Sequence, residues 1–329
     1  MSTILPMRHV KVKWVWISSL LTMLLTVLGV VNPIHAQPVH HARSVCGGGM
    51  VTTGTHYESL LSGGLTRHYL VHIPAAYDGH TPLSVVLSLH GFASYGADQE
   101  KWSQWTPIAD RENFIVVYPE GTGLPLQWNA GNSSYMNKTV DDVAFYTDLF
   151  DHFDTTYCID DARIFVTGFS NGGGMTNRLA CELSGRIAAI GTVSGAYSPF
   201  AGGCTPVRPI PVITFHGDAD PIVNYNGDAN QNFPPIKDWV ANWAQRNGCK
   251  QGPETIALPD AITDVTAIAY HDCQLNAEVQ FYTIHGGGHS WPGGMPTVPA
   301  QIIGKTASDF NASEIMWTFF QQHGMTPLP

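Results

Sequence analysis

Arg163-Ile164-Phe165-Val166-Thr167-Gly168-Phe169-Ser170-Asn171-Gly172-Gly173-Gly174-Met175 is the stretch whose reading decides the fold. An apolar, β-branched run leads into the pentapeptide G-x-S-x-G, and a glycine-rich segment leads out of it into apolar residues at helical spacing. A turn this tight between a strand and a helix has room only for glycines beside the serine, and it holds the hydroxyl at the helix N-terminus, clear of the sheet. The pattern predicts a strand, a sharp turn presenting Ser170 as a nucleophile, and a helix with Met175, Leu179 and Leu183 on one face.

Outward from that turn the same alternation repeats. Residues 67–73 alternate like a strand, and residues 83–89 (LSVVLSL) form a buried run ending at His90-Gly91. Further strands are predicted at 114–118, 164–167, within 187–194, at 211–215 and at 279–284. Between them, Asp141 and Asp142 can cap a helix running to about residue 155, with Val143, Tyr146, Phe150 and Phe153 on one face. Ile236, Val240 and Trp243 mark a helix ending near Asn247-Gly248, and residues 308–323 form a last one. Alternating buried strands and helices predict an α/β fold, a mostly parallel sheet with helices on both faces. No internal repeat and no Thr-, Ser- or Pro-rich linker to a second domain is visible.

The first 36 of the 329 residues read as a secretory signal: Arg8, Lys11 and Lys13, an apolar run from 14 to 31, and Ile34-His35-Ala36 before the cleavage point. Residues 37–45 are expected to be a flexible tail and 46–329 a single catalytic domain. Without the signal the chain has 13 Lys and Arg against 26 Asp and Glu, a net charge of −13, which argues against nucleic acid as a partner. After cleavage nothing remains to hold the protein in a membrane. All six cysteines lie beyond residue 36, and an even count in an exported chain reads as up to three disulfides. The absence of C-x-x-C and H-E-x-x-H gives no support to a metal site, and no cofactor is expected.

A serine hydroxyl needs a base, and the base needs a carboxylate to orient it. In an open α/β sheet these groups come from loops at the carboxyl ends of strands. Besides Ser170, two expected strand ends carry the right residues: His216-Gly217-Asp218-Ala219-Asp220 and Gly286-Gly287-Gly288-His289-Ser290-Trp291. His289 is the expected base, and spacing leaves the acid open between Asp218 and Asp220. The chain order Ser, Asp, His is that of α/β hydrolases. The oxyanion needs two backbone N–H donors, expected from Asn171 and from Phe92, with Ala93 as a helper. Trp128 and Trp291 are candidate substrate walls.

Taken together, these motifs with Val117-Tyr118-Pro119-Glu120-Gly121, Asp141-Asp142-Val143, Tyr157-Cys158-Ile159-Asp160 and Trp291-Pro292-Gly293 resemble the esterases of the polyhydroxybutyrate-depolymerase family, which includes secreted feruloyl and acetylxylan esterases of carbohydrate esterase family one. The resemblance runs from about Cys46 to His323. It implies an α/β-hydrolase fold and a triad of Ser170, Asp220 and His289, the acid being the aspartate before the Ile222-Val223-Asn224-Tyr225 turn. Asn224 stands where the family often has proline, and Phe92 where many relatives have cysteine. The resemblance also implies a Cys249–Cys273 bridge, worth about 3 kcal/mol in the chain-entropy account. The implied function is a secreted, cofactor-free serine carboxylesterase acting on feruloyl or acetyl esters of plant polysaccharide or on related small esters. The alternatives are an extracellular polyester depolymerase, then a serine peptidase of the same fold, and, from another class, a non-catalytic carbohydrate-binding protein.

Overall fold

Alternation along the strands shows how the sheet divides its two faces. Val85, Leu87, Leu89, Ile115, Val117, Ile164, Val166, Val212, Val279 and Phe281 belong to one buried cluster, while Val86, Val116, Tyr118, Phe165, Ile213, Phe215 and Tyr282 belong to a second. A strand apolar at every position must be covered on both sides.

In this computed structural model, residues 45–47, 51–132, 139–295 and 298–326 are described. The expected signal at 1–36 and all but the last residue of the expected tail lie outside them. The elements run β1 (Gly54–Ser62), β2 (Leu65–Ile73), β3 (Leu83–Leu89), α1 (Gly96–Ser103), α2 (Trp105–Glu112), β4 (Ile115–Pro119), α3 (Asp142–Thr156), β5 (Ile159–Phe169) and α4 (Asn171–Glu182). They continue as β6 (Ala189–Val193), β7 (Val212–Gly217), α5 (Ile236–Arg246), β8 (Gln251–Ile256), β9 (Val265–His271), β10 (Val279–Ile284), α6 (Ala300–Ile303) and α7 (Ala312–Gln321). One sheet has the order β1-β2-β4-β3-β5-β6-β7-β10-β9-β8. From β4 to β10 its pairings are parallel, and the outer pairs at both edges are antiparallel. The fold is that of an α/β hydrolase, a large mostly parallel sheet flanked by helices.

Helices α3, α4 and α5 pack into the first cluster through Phe145, Tyr146, Leu149, Phe150, Met175, Leu179, Trp239 and Trp243. Helices α2 and α7 pack into the second through Trp105, Ile108, Met316, Trp317 and Phe320. The Phe165 ring stacks on Phe320 at 4.7 Å and Phe114 on Trp317 at 4.1 Å, so α7 is bound to the sheet by aromatic faces. That helix begins at Ala312 rather than at the expected residue 308, because the Asn311 side chain accepts the amides of Ser313 and Glu314 as an N-cap. Asp141 caps α3 by accepting the amide of Ala144, whereas Asp142 turns inward onto Arg67, 2.7 Å away.

The six cysteines form three disulfides, Cys46–Cys158, Cys181–Cys204 and Cys249–Cys273. The second ties the end of α4 to the loop after β6, and the third closes the base of the β8–β9 hairpin. Among the described residues, no helix is long and apolar enough to cross a membrane.

Candidate active site

The centre of the site is the junction of β5 and α4. Ser170 takes φ 54° and ψ −118°, a strained conformation for a residue with a side chain. It is held there from three sides. Its amide donates to Val193 O at 3.0 Å, and its carbonyl accepts from Gly174 N–H at 3.0 Å and Ala196 N–H at 2.9 Å. Gly172 lies directly against the chain leaving β3: a Cβ there would overlap the carbonyl oxygens of Leu89 and His90. That close approach brings the β3 turn alongside the first turn of α4.

The β3 turn is fixed by His90. Its ring is fully buried and accepts the Gly121 amide on Nε2 at 2.9 Å, while Nδ1 donates to Gly91 O at 2.7 Å. Burial pushes this imidazole down to about 4, although the Gly91 carbonyl works in the opposite direction. A neutral ring is the one that can accept the Gly121 N–H. The expected oxyanion donors flank this arrangement. Asn171 is the first residue of α4, so its amide has no partner inside the helix, and Phe92 follows Gly91 directly. Ala93 is not free to help, because its amide donates to Leu126 O at 2.9 Å.

Two aspartates after β7 choose different histidines after β10. Asp220 accepts His289 Nδ1 on Oδ2 at 2.8 Å, and its Oδ1 accepts the amides of Ile222 and Val223 at 2.8 and 2.9 Å. Asp218 pairs with His285 Nδ1 at 2.9 Å and accepts the Gly286 amide at 2.6 Å. Burial alone would raise the Asp220 carboxyl, yet His289, His216 and the Ile222 amide hold it below the usual carboxylate range. Behind Asp220 lies a third, fully buried imidazole. His216 Nε2 donates to Val223 O at 2.9 Å and sits 3.4 Å from Asp220 Oδ2. Burial pushes His216 down to about 4, against the attraction of Asp220.

Ser170 and His289 open onto one cavity of about 220 Å³. Its walls are mostly apolar: Phe92, Trp102, Phe169, Ile222, Trp291, Val298, Ile302 and Ile303, with Gly91 at the β3 turn. The His289 ring packs against Phe169 at 4.7 Å, and its backbone amide donates to Ile303 O. Trp291 lies in the wall with its indole N–H donated to Ser313 Oγ at 3.1 Å. Trp128, expected as a second wall, is instead in the core at 0 % exposure. Its indole N–H donates to His90 O at 2.9 Å, its backbone N–H to Asn171 Oδ1 at 2.8 Å, and its carbonyl accepts Asn171 Nδ2 at 3.2 Å. It braces the two turns from behind and does not reach the cavity. Trp102, Ile222 and Ile303 were not expected in the wall. Trp102 belongs to α1, whose polar sequence gives no apolar stripe to find. Among the described residues, no three His, Cys, Asp or Glu side chains converge to hold a metal ion.

Residues 75–233 match the phospholipase/carboxylesterase family. This match and the relatives it accompanies support a carboxylic ester hydrolase of the α/β-hydrolase fold. The chain is 30 % identical over 241 residues to feruloyl esterase B of Piromyces equi, an alignment covering 68 % of this chain and 42 % of that protein. It therefore spans less than half the length of that relative. It is 27 % identical over 285 residues to feruloyl esterase D of Neurospora crassa, covering 83 % of this chain and 90 % of the relative. Among solved structures, the acetyl xylan esterase from Aspergillus awamori matches with a TM-score of 0.55 at 16 % identity, over 71 % of this chain and 94 % of that one, a likeness of fold.

Proposed function

We propose that this chain is an exported esterase that removes hydroxycinnamoyl groups such as feruloyl from plant polysaccharide by a Ser170–His289–Asp220 acyl-enzyme mechanism. The observation that carries the reading is the shared cavity: Ser170 and His289 line one apolar pocket of about 220 Å³, and His289 is bound through Nδ1 to a buried carboxylate. Bonding at Nδ1 leaves Nε2 as the nitrogen that takes the serine proton. In the proposed reaction Ser170 Oγ attacks the ester carbonyl as His289 Nε2 removes its proton. The amides of Phe92 and Asn171 hold the oxyanion, and the imidazolium, stabilised by Asp220, returns the proton to the leaving sugar hydroxyl. Water, deprotonated by the same imidazole, then attacks the acyl-Ser170 ester and releases the free acid.

The choice of acyl group rests on the walls. An acetyl group would leave most of the cavity unfilled, whereas a phenolic ring can pack against Trp102, Phe169 and Trp291. Export is supported by three disulfides and by the leader-like pattern at residues 1–36. One observation favours a second reading, hydrolysis of an apolar polyester: Phe92, Ile222 and Ile302 in the cavity wall are 45, 49 and 59 % exposed and would suit contact with a solid polymer.

A single panel tests both. Purified protein is expected to release ferulate from methyl ferulate faster than acetate from acetylated xylan, and to leave a polyhydroxybutyrate suspension turbid. Ser170→Ala should lower ferulate release by about 10⁴-fold or more while the protein stays folded. Rapid clearing of the suspension without ferulate release would favour the polyester reading, and near wild-type turnover by folded Ser170→Ala would remove Ser170 from the mechanism.

A further inference from the structure

A second cavity of about 500 Å³ lies between α4, the loop after β6, residues 232–234 and α5, and shares no wall residue with the one at Ser170. The two are neighbours along the chain: the Ala196 amide binds the Ser170 carbonyl at 2.9 Å, and Tyr197 is already in the second wall. Among its buried polar residues is Asn177 of α4, 7 % exposed. Asn177 Oδ1 accepts both indole N–H groups of Trp239 and Trp243 at 3.0 Å. Only the amide oxygen can accept two donors, so the orientation of the amide is fixed and Nδ2 is left over. No hydrogen bond from that N–H group is seen among the described residues, and Asn177 lies in the cavity wall. The platform behind it is rigid, because Trp239 stacks face to face on Tyr197 at 3.7 Å.

The rim adds a cation. Arg246 is laid over Trp243 at 5.5 Å and spends Nε on Cys204 O at 3.4 Å, which leaves the outer guanidinium nitrogens without an acidic partner among the described residues. No Asp or Glu lines the cavity, in a chain whose acidic residues outnumber its basic ones 26 to 16. Inward amide donors, an unpaired guanidinium and a half-buried Phe233 call for a ligand with many oxygen acceptors, one negative charge and an apolar face. We propose that this cavity is a glycan subsite for a uronate sugar, Arg246 taking the carboxylate and Asn177 Nδ2 a ring or hydroxyl oxygen. That the carboxylate is carried by a sugar rests on the polysaccharide-ester reading above; the demand for an oxygen-rich anion does not.

Isothermal titration of the full chain with two probes tests it: a xylo-oligosaccharide carrying one glucuronosyl group, and the unsubstituted oligosaccharide of the same length. The substituted probe is expected to bind at least about tenfold more tightly. Arg246→Gln should erase that difference, Arg246→Lys should restore part of it, and both variants should hydrolyse methyl ferulate at the wild-type rate. Equal affinity for the two probes, indifference to Arg246→Gln, or displacement of the acidic probe by ferulate would each overturn the subsite. Loss of the subsite with methyl ferulate hydrolysis intact leaves the esterase reading standing, and absence of hydrolysis by the wild type would count against that reading alone.

Discussion

Asp218 and Asp220 stand two residues apart, yet their carboxylates answer to different histidines because of the ladder between β7 and β10. Gly217 is paired with Ile284, so the next residues, Asp218 and His285, meet directly across the strand ends. Asp220 lies one turn further on and reaches His289 beyond the glycine loop. Asp220→Asn is therefore expected to lower kcat for methyl ferulate by up to about 10⁴-fold, since an amide cannot stabilise the imidazolium and favours the wrong tautomer. Asp218→Asn should alter kcat little. Side-by-side kinetics check this, and the reverse ranking would transfer the orienting role to Asp218. Spacing in the sequence left these two residues level, because which strand neighbours β7 is a property of the sheet order and not of either motif. The same limit applies to the tryptophans. Trp291 follows His289 by two residues and is carried to the cavity with it, whereas Trp128 is drawn inward by three hydrogen bonds to His90 and Asn171, residues distant from it in the chain.

Helix α4 serves as the platform of the site, and its first turn must lie against β3 for the Phe92 and Asn171 amides to face one point. Gly172 sets that distance. Gly172→Ala is expected to force α4 away from the Leu89 and His90 carbonyls, at a cost of about 1–3 kcal/mol typical of overpacking, and to lower kcat by separating the two oxyanion donors. Thermal denaturation and ferulate kinetics on the same preparation measure both effects; an unchanged kcat would mean that the donors do not depend on this contact. The elements that build this platform were readable from sequence because they are buried on both faces: residues 83–89 and 279–284 coincide with β3 and β10. The strands that escaped notice are edges. β8 is exposed or half-exposed along its whole length, and β1 alternates between exposed and half-buried positions, so neither carries an apolar run. β9 alternates between buried and more open residues and pairs only with β8 and β10. Helices α1 and α2 escaped for another reason: Gln104 takes a left-handed conformation between them and breaks the register of any common face.

At the scale of the whole molecule, two buried imidazoles make folding and pH inseparable. His90 locks the turn on the β3 side of the site and His216 lies behind Asp220 on the other, each fully buried and each pushed down to about 4 by loss of water. In the unfolded chain both would titrate near 6.5. Between 6.5 and about 4 the native state thus binds fewer protons than the unfolded state, so stability rises with pH across that window and is lost as the solution is acidified. The linkage is worth about 3 kcal/mol per histidine, fully present above the unfolded value. Asp154 works the other way: burial raises its carboxyl to about 6, so its protonation relieves the native state as pH falls. Burial raises the Asp142 carboxyl as well, but each of these two carboxylates faces an arginine, Arg67 or Arg186, that works against the rise. The two buried rings have no such offset of comparable size, which leaves the histidines dominant. Asp220, held below its ordinary range, adds its loss only at still lower pH. The melting temperature is expected to fall steadily from pH 7 to pH 4.5 while two histidine ring signals in the NMR spectrum remain neutral at pH 5.5. His216→Gln keeps a donor for the Val223 carbonyl but cannot be protonated, so its melting temperature should fall less steeply over the same interval. A flat profile in the wild type, or all histidine rings charged at pH 5.5 in folded protein, would show that these two rings are not held neutral by burial.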